Sequence, residues 1–260
     1  MIQFLKESTF AVNEVFSRSL NLLRHRYFSI VGLCFLLFFT SNLISLFYLS
    51  DMGILQRLLL VCLFAVLYFG LQLTLMKYLL LRLEGRTDAS VKRSIPSVKE
   101  LWYFFLAISL ILLVVACCYA LISIAGWPFI YLGVPVDAMV RVSVLLSAVL
   151  MFMFLLRAAF YPYFIIDRGA TPWRAIRLSI ALTRGNVTKL LLILLFFAIL
   201  HFLNGYFNYH GLLVLSIMLN VVNSFFIIPL SSVVVAVAYR SMIDKYRTLD
   251  AVDEQAGGLQ

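Results

Sequence analysis

The stretch Leu155-Leu-Arg-Ala-Ala-Phe-Tyr-Pro-Tyr-Phe-Ile-Ile-Asp-Arg-Gly169 sets an arginine, and five residues later a proline, inside an otherwise apolar run. If one helix runs unbroken from Arg141 to Ile166, Arg157 lies about 15 Å from Asp167 at the helical rise per residue, close to the middle of a bilayer. A charge there costs about 3 kcal/mol or more on insertion scales and needs a partner or a wet cavity. If the helix instead ends near Phe160, Arg141 and Arg157 snorkel at opposite membrane faces, and Tyr161-Pro-Tyr163 is an interfacial exit. Arg57 and Lys77 stand at a similar membrane-spanning separation in an earlier apolar run, which favours the second arrangement. The first keeps one argument. Pro162 has no N–H for the Ala158 carbonyl, and an opened turn beside a cation suits a lipid phosphate or another anion.

The composition around that stretch is that of an integral membrane protein. Of 260 residues 63% are hydrophobic and 13% charged, with a mean hydropathy of +1.02. A water-soluble domain so composed would carry large exposed apolar patches. A helix needs about 20 apolar residues to cross a hydrocarbon core. Six such runs occur, near 28–48, 54–81, 101–125, 139–163, 188–207 and 211–239. The expected fold is therefore all-α: a polytopic membrane bundle over residues 1–248 with six transmembrane helices and short connections. Residues 249–260 have the composition of a disordered tail. The lead before Phe28 holds no short apolar core followed by a small-residue cleavage site, so no cleaved signal peptide is expected.

In a soluble chain a net charge of +9 would suggest nucleic acid; here its placement excludes that partner and points to topology. Lysine and arginine fall in the N-terminal lead, the second connection, the fourth connection and the tail. The first, third and fifth connections have none. The positive-inside rule then sets both termini in the cytoplasm. The basic face should also attract anionic headgroups, at about 1 kcal/mol per well-placed Lys or Arg.

Two cytoplasmic segments read as amphipathic helices. Over residues 2–23, Ile2, Leu5, Val12, Phe16, Leu20 and Leu23 form one stripe opposite Lys6, Glu7, Glu14 and Arg18. Over 172–184, Thr171-Pro172 supplies an N-cap and a first-turn proline, and Gly185-Asn186 closes the helix. Arg174, Arg177 and Arg184 share one side of it, while Ala175, Ser179 and Thr183 form a small-residue stripe on the other. Small residues four apart let helices approach closely. This helix should pack on the bundle and turn its arginines toward headgroups or a partner. Ser97-Val-Lys-Glu100 is a capping box launching the third span. Ser19, Leu22 and Arg24 overlay Ser179, Leu182 and Arg184, as three repeats of an amphipathic segment plus a helical hairpin would produce. Gly126-Trp-Pro-Phe-Ile-Tyr-Leu-Gly133 reads as an outer aromatic loop.

Chemistry is sparse. All twelve acidic residues lie in connections or termini, which argues against a proton-coupled pump or an intramembrane aspartyl protease. No catalytic motif or metal-ligand spacing is present, and no cofactor is implied. Cys34, Cys62, Cys117 and Cys118 sit in apolar runs as small hydrophobes. Folding 188–239 as a hairpin about Asn208 places His201 level with Ser216 and a turn from Asn220, so an interhelical hydrogen bond is its expected role. Asn220 and Asn223 read as interhelical glue. Pro229 should kink the last span, with Ser231 and Ser232 helping to satisfy the freed backbone.

The stretch Phe164-Ile-Ile-Asp-Arg-Gly-Ala-Thr-Pro-Trp-Arg-Ala-Ile-Arg-Leu-Ser-Ile-Ala-Leu-Thr-Arg-Gly-Asn-Val-Thr-Lys189 resembles the membrane domain attached to some bacterial glycerophosphodiester phosphodiesterases and to related six-helix inner-membrane families. The matching positions are Asp167, Gly169, Ala175, Ser179, Thr183, Gly185 and Asn186. The resemblance implies a bacterial inner-membrane location and a six-helix scaffold. It implies no established activity, and with no attached phosphodiesterase domain, hydrolysis of glycerophosphodiesters is not expected of this chain.

The expected function is a non-enzymatic membrane module that engages anionic lipid, another membrane protein or a second copy of itself through Arg174, Arg177 and Arg184. The competing expectation is a small transporter or lipid/anion translocator with Arg157 and Lys77 in its pathway. Asp167 and Ser179 are expected to be structural polar groups.

Overall fold

The computed structural model describes residues 11–48, 53–85, 90–133 and 135–257. Among these no strand occurs. The chain is α1 (Val12–Tyr48), α2 (Ile54–Leu83), a 3-10 turn (Val91–Ser94), α3 (Val98–Tyr131), α4 (Val136–Ala158), α5 (Tyr161–Arg168), α6 (Pro172–Thr183), α7 (Val187–Tyr209), α8 (Leu213–Val222), a π-helical turn (Asn223–Ile227) and α9 (Ile228–Gly257). Six segments are long and apolar enough to cross a membrane: Val12–Leu43, Ile54–Leu83, Val98–Phe129, Val136–Arg168, Val187–Phe207 and Val214–Asp244. The protein is thus an all-α, multi-pass membrane protein.

The helices form three hairpins, α1 on α2, α3 on α4 and α7 on α8, and α9 packs back on α1 and α2. First and last elements therefore meet. Burial is uneven, and the solvent explains why. Leu112, Leu113, Leu145, Leu192 and Phe202 lie exposed on the spans, an arrangement that water would penalise and acyl chains match. The buried core gathers where the helices run toward their basic ends: Leu79 and Leu80 of α2, Tyr163 to Ile166 of α5, Ile176 and Leu182 of α6, and Val233 to Tyr239 of α9. Tyr163 and Tyr239 stack at 5.1 Å, with Phe160 and Phe164 against Tyr239 at 6.0 and 5.3 Å. Such pairs add about 0.5–1.5 kcal/mol each beyond their burial.

Several local readings hold. Ser97 and Glu100 form the capping box, Ser97 N–H donating to Glu100 Oε2 at 2.7 Å and Glu100 N–H to Ser97 Oγ at 3.2 Å. Gly169, at φ +57°, ends α5 in a left-handed turn closed by Ala170 N–H on the Phe164 carbonyl at 3.3 Å.

Others change. The segment expected as an amphipathic helix over 2–23 is helical from Val12, its earlier part lying outside the described residues. It runs on into the first span across a single non-helical residue, Arg26 (φ −133°, ψ 28°). Its apolar side is packed rather than laid on a surface: Val15, Ser19 and Leu23 are buried, and Phe16 meets Phe196 and Phe197 of α7. The Gly126–Gly133 stretch is not a loop up to Tyr131, because α3 continues through Pro128. Thr171 stands at the N-cap of α6, but its hydroxyl makes no capping bond. α9 is helical to Gly257, over most of the expected tail, where alanine, leucine and glutamate favour helix.

Candidate functional site: the basic helix and the joint it closes

The fourth span is broken, not continuous. α4 stops at Ala158 and α5 starts at Tyr161, with Pro162 at its N-terminus and Phe160 non-helical (φ −97°, ψ 3°). A break of this kind leaves backbone groups without helical partners. Ser179 of α6 takes two of them with one hydroxyl: it accepts from Phe160 N–H at 3.0 Å and donates to the Arg157 carbonyl at 2.8 Å. Thr183 Oγ1 lies 3.2 Å from the same carbonyl and 3.0 Å from the Ser179 carbonyl. The small-residue stripe lets α6 come this close, Ala175, Ser179 and Thr183 all having no exposure. The Arg157 carbonyl is therefore bonded from within the protein, whereas the carbonyl that Pro162 deprives of its helical donor is the next one, that of Ala158. Tyr161-Pro-Tyr163 packs within the bundle, Pro162 and Tyr163 being buried and Tyr161 stacking on Phe104 of α3 at 5.8 Å.

Because Thr183 reaches the Arg157 carbonyl, the end of α6 lies beside the end of α4. α7 begins at Val187, after Gly185 turns the chain at φ +93°. The fifth span thus starts at the level where α4 ends.

A second proline break also takes a hydroxyl from another hairpin onto its backbone, here on the carbonyl that the proline itself orphans. Pro229 has no N–H for the carbonyl one turn back, Phe225, and the preceding residues widen into the π-helical turn. Tyr27 Oη, just past the α1 kink, donates to the Phe225 carbonyl at 3.0 Å. Ser231 and Ser232 both donate to the Ile228 carbonyl, at 2.8 and 3.0 Å. In both breaks a hydroxyl from the segment leading into a different hairpin completes the backbone.

Arg174 and Arg177 are exposed on α6, Arg184 is exposed at its C-cap in extended backbone, and Arg157 is exposed at the end of α4. None of the four is engaged by an acidic group among the described residues. The other cations nearby are. Lys77 Nζ bonds both Glu100 oxygens at 3.0 Å, each side chain about one-fifth exposed at 21% and 19%. Arg240 pairs with Glu84 at 3.2 Å and Asp244 at 3.1 Å, and Arg168 lies 4.0 Å from Asp167. Asp167 accepts from Tyr239 Oη at 3.0 Å, which ties α5 to α9. Lys77 and Arg157 are not brought together, and neither lines the cavity of about 620 Å³ between α1, α2 and α8–α9.

His201 is exposed and makes no hydrogen bond among the described residues. The expected bond to Ser216 fails because the hairpin turns at Gly211 (φ +70°) rather than at Asn208, which puts Val221 at the level of His201. Asn220 lines the cavity. Asn223 opens the π-helical turn, and its side chain bonds nothing among the described residues. Also among the described residues, no group of three His, Cys, Asp or Glu side chains is arranged to hold a metal ion.

Sequence reasoning missed the Lys77–Glu100 pair and the Tyr27–Phe225 bond. The position of Pro229 does mark which carbonyl loses its helical donor, but nothing local names the hydroxyl that replaces it. No protein-family model matches the chain, and no curated protein or solved structure matches it either.

Proposed function

We propose that this protein is a non-enzymatic module of a bacterial inner membrane, both termini cytoplasmic, that engages anionic lipid through the arginine face of α6. The observation that carries the reading is the division of α6 into two faces. One is locked, with Ala175, Ile176, Ser179, Leu182 and Thr183 buried and Ser179 bonded across the α4–α5 joint. A helix so held cannot rotate to hide Arg174, Arg177 and Arg184, which stay exposed and unneutralised. Guanidinium groups offer planar donor forks that match phosphate, and each adds about 1 kcal/mol near an anionic surface. Arg157 adds a fourth charge at the joint.

The resemblance to phosphodiesterase-linked membrane domains supports a shared scaffold, since Gly169, Ser179, Thr183 and Gly185 all have backbone tasks around α6. A translocation path through Arg157 and Lys77 has weaker support, because Glu100 neutralises Lys77 and the cavity includes neither residue.

The test is mass spectrometry of lipids and proteins that co-purify in mild detergent with the wild type and with Arg174→Glu/Arg177→Glu/Arg184→Glu. The charge reversal should strip anionic lipid and leave neutral lipid unchanged. Loss of a co-purifying protein instead would assign the face to a partner. Unchanged recovery of both would remove the reading.

A further inference from the structure

We propose that the cavity between α1, α2 and α8–α9 is a binding site for a neutral long-chain amphiphile of the bilayer. Its volume, about 620 Å³, is in the range of sites that hold small ligands. All of its lining residues belong to helices that qualify as membrane spans, so its solvent is acyl chain rather than bulk water. Phe35, Phe38, Ile217 and Val221, on its rim, are each about half exposed or more, which in a membrane means open to lipid from the side. Leu79 and Tyr163, both fully buried, close it toward the basic end of the bundle. It therefore has a side entrance and a floor.

The polar groups define the occupant. Ser41, Tyr68, Gln72 and Ser224 line the cavity, and no hydrogen bond within the described residues takes up their side-chain polar groups. At hydrocarbon depth such groups are costly unless something bonds them. All four are neutral, and each both donates and accepts. Among the described residues no Asp, Glu, Lys, Arg or His lines the cavity, so none of them compensates an ionised headgroup there. The ligand is therefore apolar along its length and carries a hydroxyl, carbonyl or amide, which Gln72 and Ser224 bind. The π-helical turn at Asn223–Ile227 forms one wall and turns Ser224 into the space, in keeping with the frequency of such turns at functional sites.

The experiment uses the full chain in lipid nanodiscs and a long-chain alcohol bearing a photoreactive diazirine. Labelling should saturate and map to peptides carrying residues 31–41, 68–79 and 217–235. A chain-matched unlabelled alcohol should compete, and a chain-matched alkyl sulfate should not. Gln72→Leu should weaken labelling about fivefold, the effect of one lost hydrogen bond, and Ser224→Phe, which fills the space, should abolish it. Both variants must retain wild-type helicity and a single elution peak; Gln72→Leu makes the span more apolar and is the one expected to do so in any event. Labelling spread evenly over all spans, equal competition by the sulfate, or full labelling of Gln72→Leu would each overturn the proposal. None of these residues is basic, so either outcome is independent of the α6 reading.

Discussion

The Ser179 hydroxyl accepts from Phe160 N–H at 3.0 Å and donates to the Arg157 carbonyl at 2.8 Å, so a residue of α6 completes the backbone of α4 where it breaks. Removing the hydroxyl strands the Phe160 N–H and leaves the Arg157 carbonyl to Thr183 alone. Ser179→Ala should cost about 1–3 kcal/mol for the stranded group, read as a lowered midpoint in denaturant or thermal unfolding in detergent. Thr183→Val should cost less, because Ser179 still holds the Arg157 carbonyl. The double variant should depart from additivity, since both hydroxyls share that acceptor. Full stability of Ser179→Ala would mean that the joint is held by packing alone.

Tyr27 and Pro229 are linked through the Phe225 carbonyl. Tyr27→Phe should destabilise by about 1 kcal/mol. In a Pro229→Ala background the new N–H supplies an intrahelical donor to that carbonyl, and Tyr27→Phe should become close to neutral. A double-mutant cycle on unfolding midpoints measures this; an equal loss in both backgrounds would break the link.

Lys77 and Glu100 join α2 to α3 through two hydrogen bonds at 3.0 Å. Glu100→Gln keeps an amide oxygen for the Ser97 N–H and so isolates the ion pair from the capping box. It should cost about 1.5–3 kcal/mol, the range for hydrogen bonds to charged groups. Lys77→Met should cost a similar amount, and the two losses should not sum. If Lys77→Met instead abolished solute flux in proteoliposomes without changing stability, the pair would belong to a pathway.

Gly169 turns the chain from α5 into α6 at φ +57°, and a Cβ built there meets nothing within 4 Å. Gly169→Ala should therefore cost only the left-handed backbone penalty, about 1–2 kcal/mol. Gly169→Asn should cost clearly less, because asparagine tolerates that conformation. Thermal unfolding of the two variants side by side is the measurement.

Some of this protein is written in its sequence because it depends on local period and solvent. Apolar runs of spanning length, the Ser97–Glu100 capping box, the stop at Gly169 and the opposed faces of α6 need no partner to be read. The hydroxyl stripe of α6 was legible as a packing surface, and Pro162 as the site of a break. What the stripe packs on was not legible. Whether α4 continued past Arg157, and what Ser179 and Thr183 bond across the α4–α5 break, is decided only in three dimensions. The same holds for Lys77, whose acid lies 23 residues away, and for Tyr27, whose acceptor lies 198 residues away. A buried polar group in a membrane protein must find a partner, but chain distance places no limit on where it finds one. The hairpin register failed for a smaller reason: Gly211 rather than Asn208 made the turn, and a few residues of shift carried His201 away from Ser216. Periodicity decides which face of a helix is apolar; only the packed bundle decides which backbone gap each hydroxyl fills.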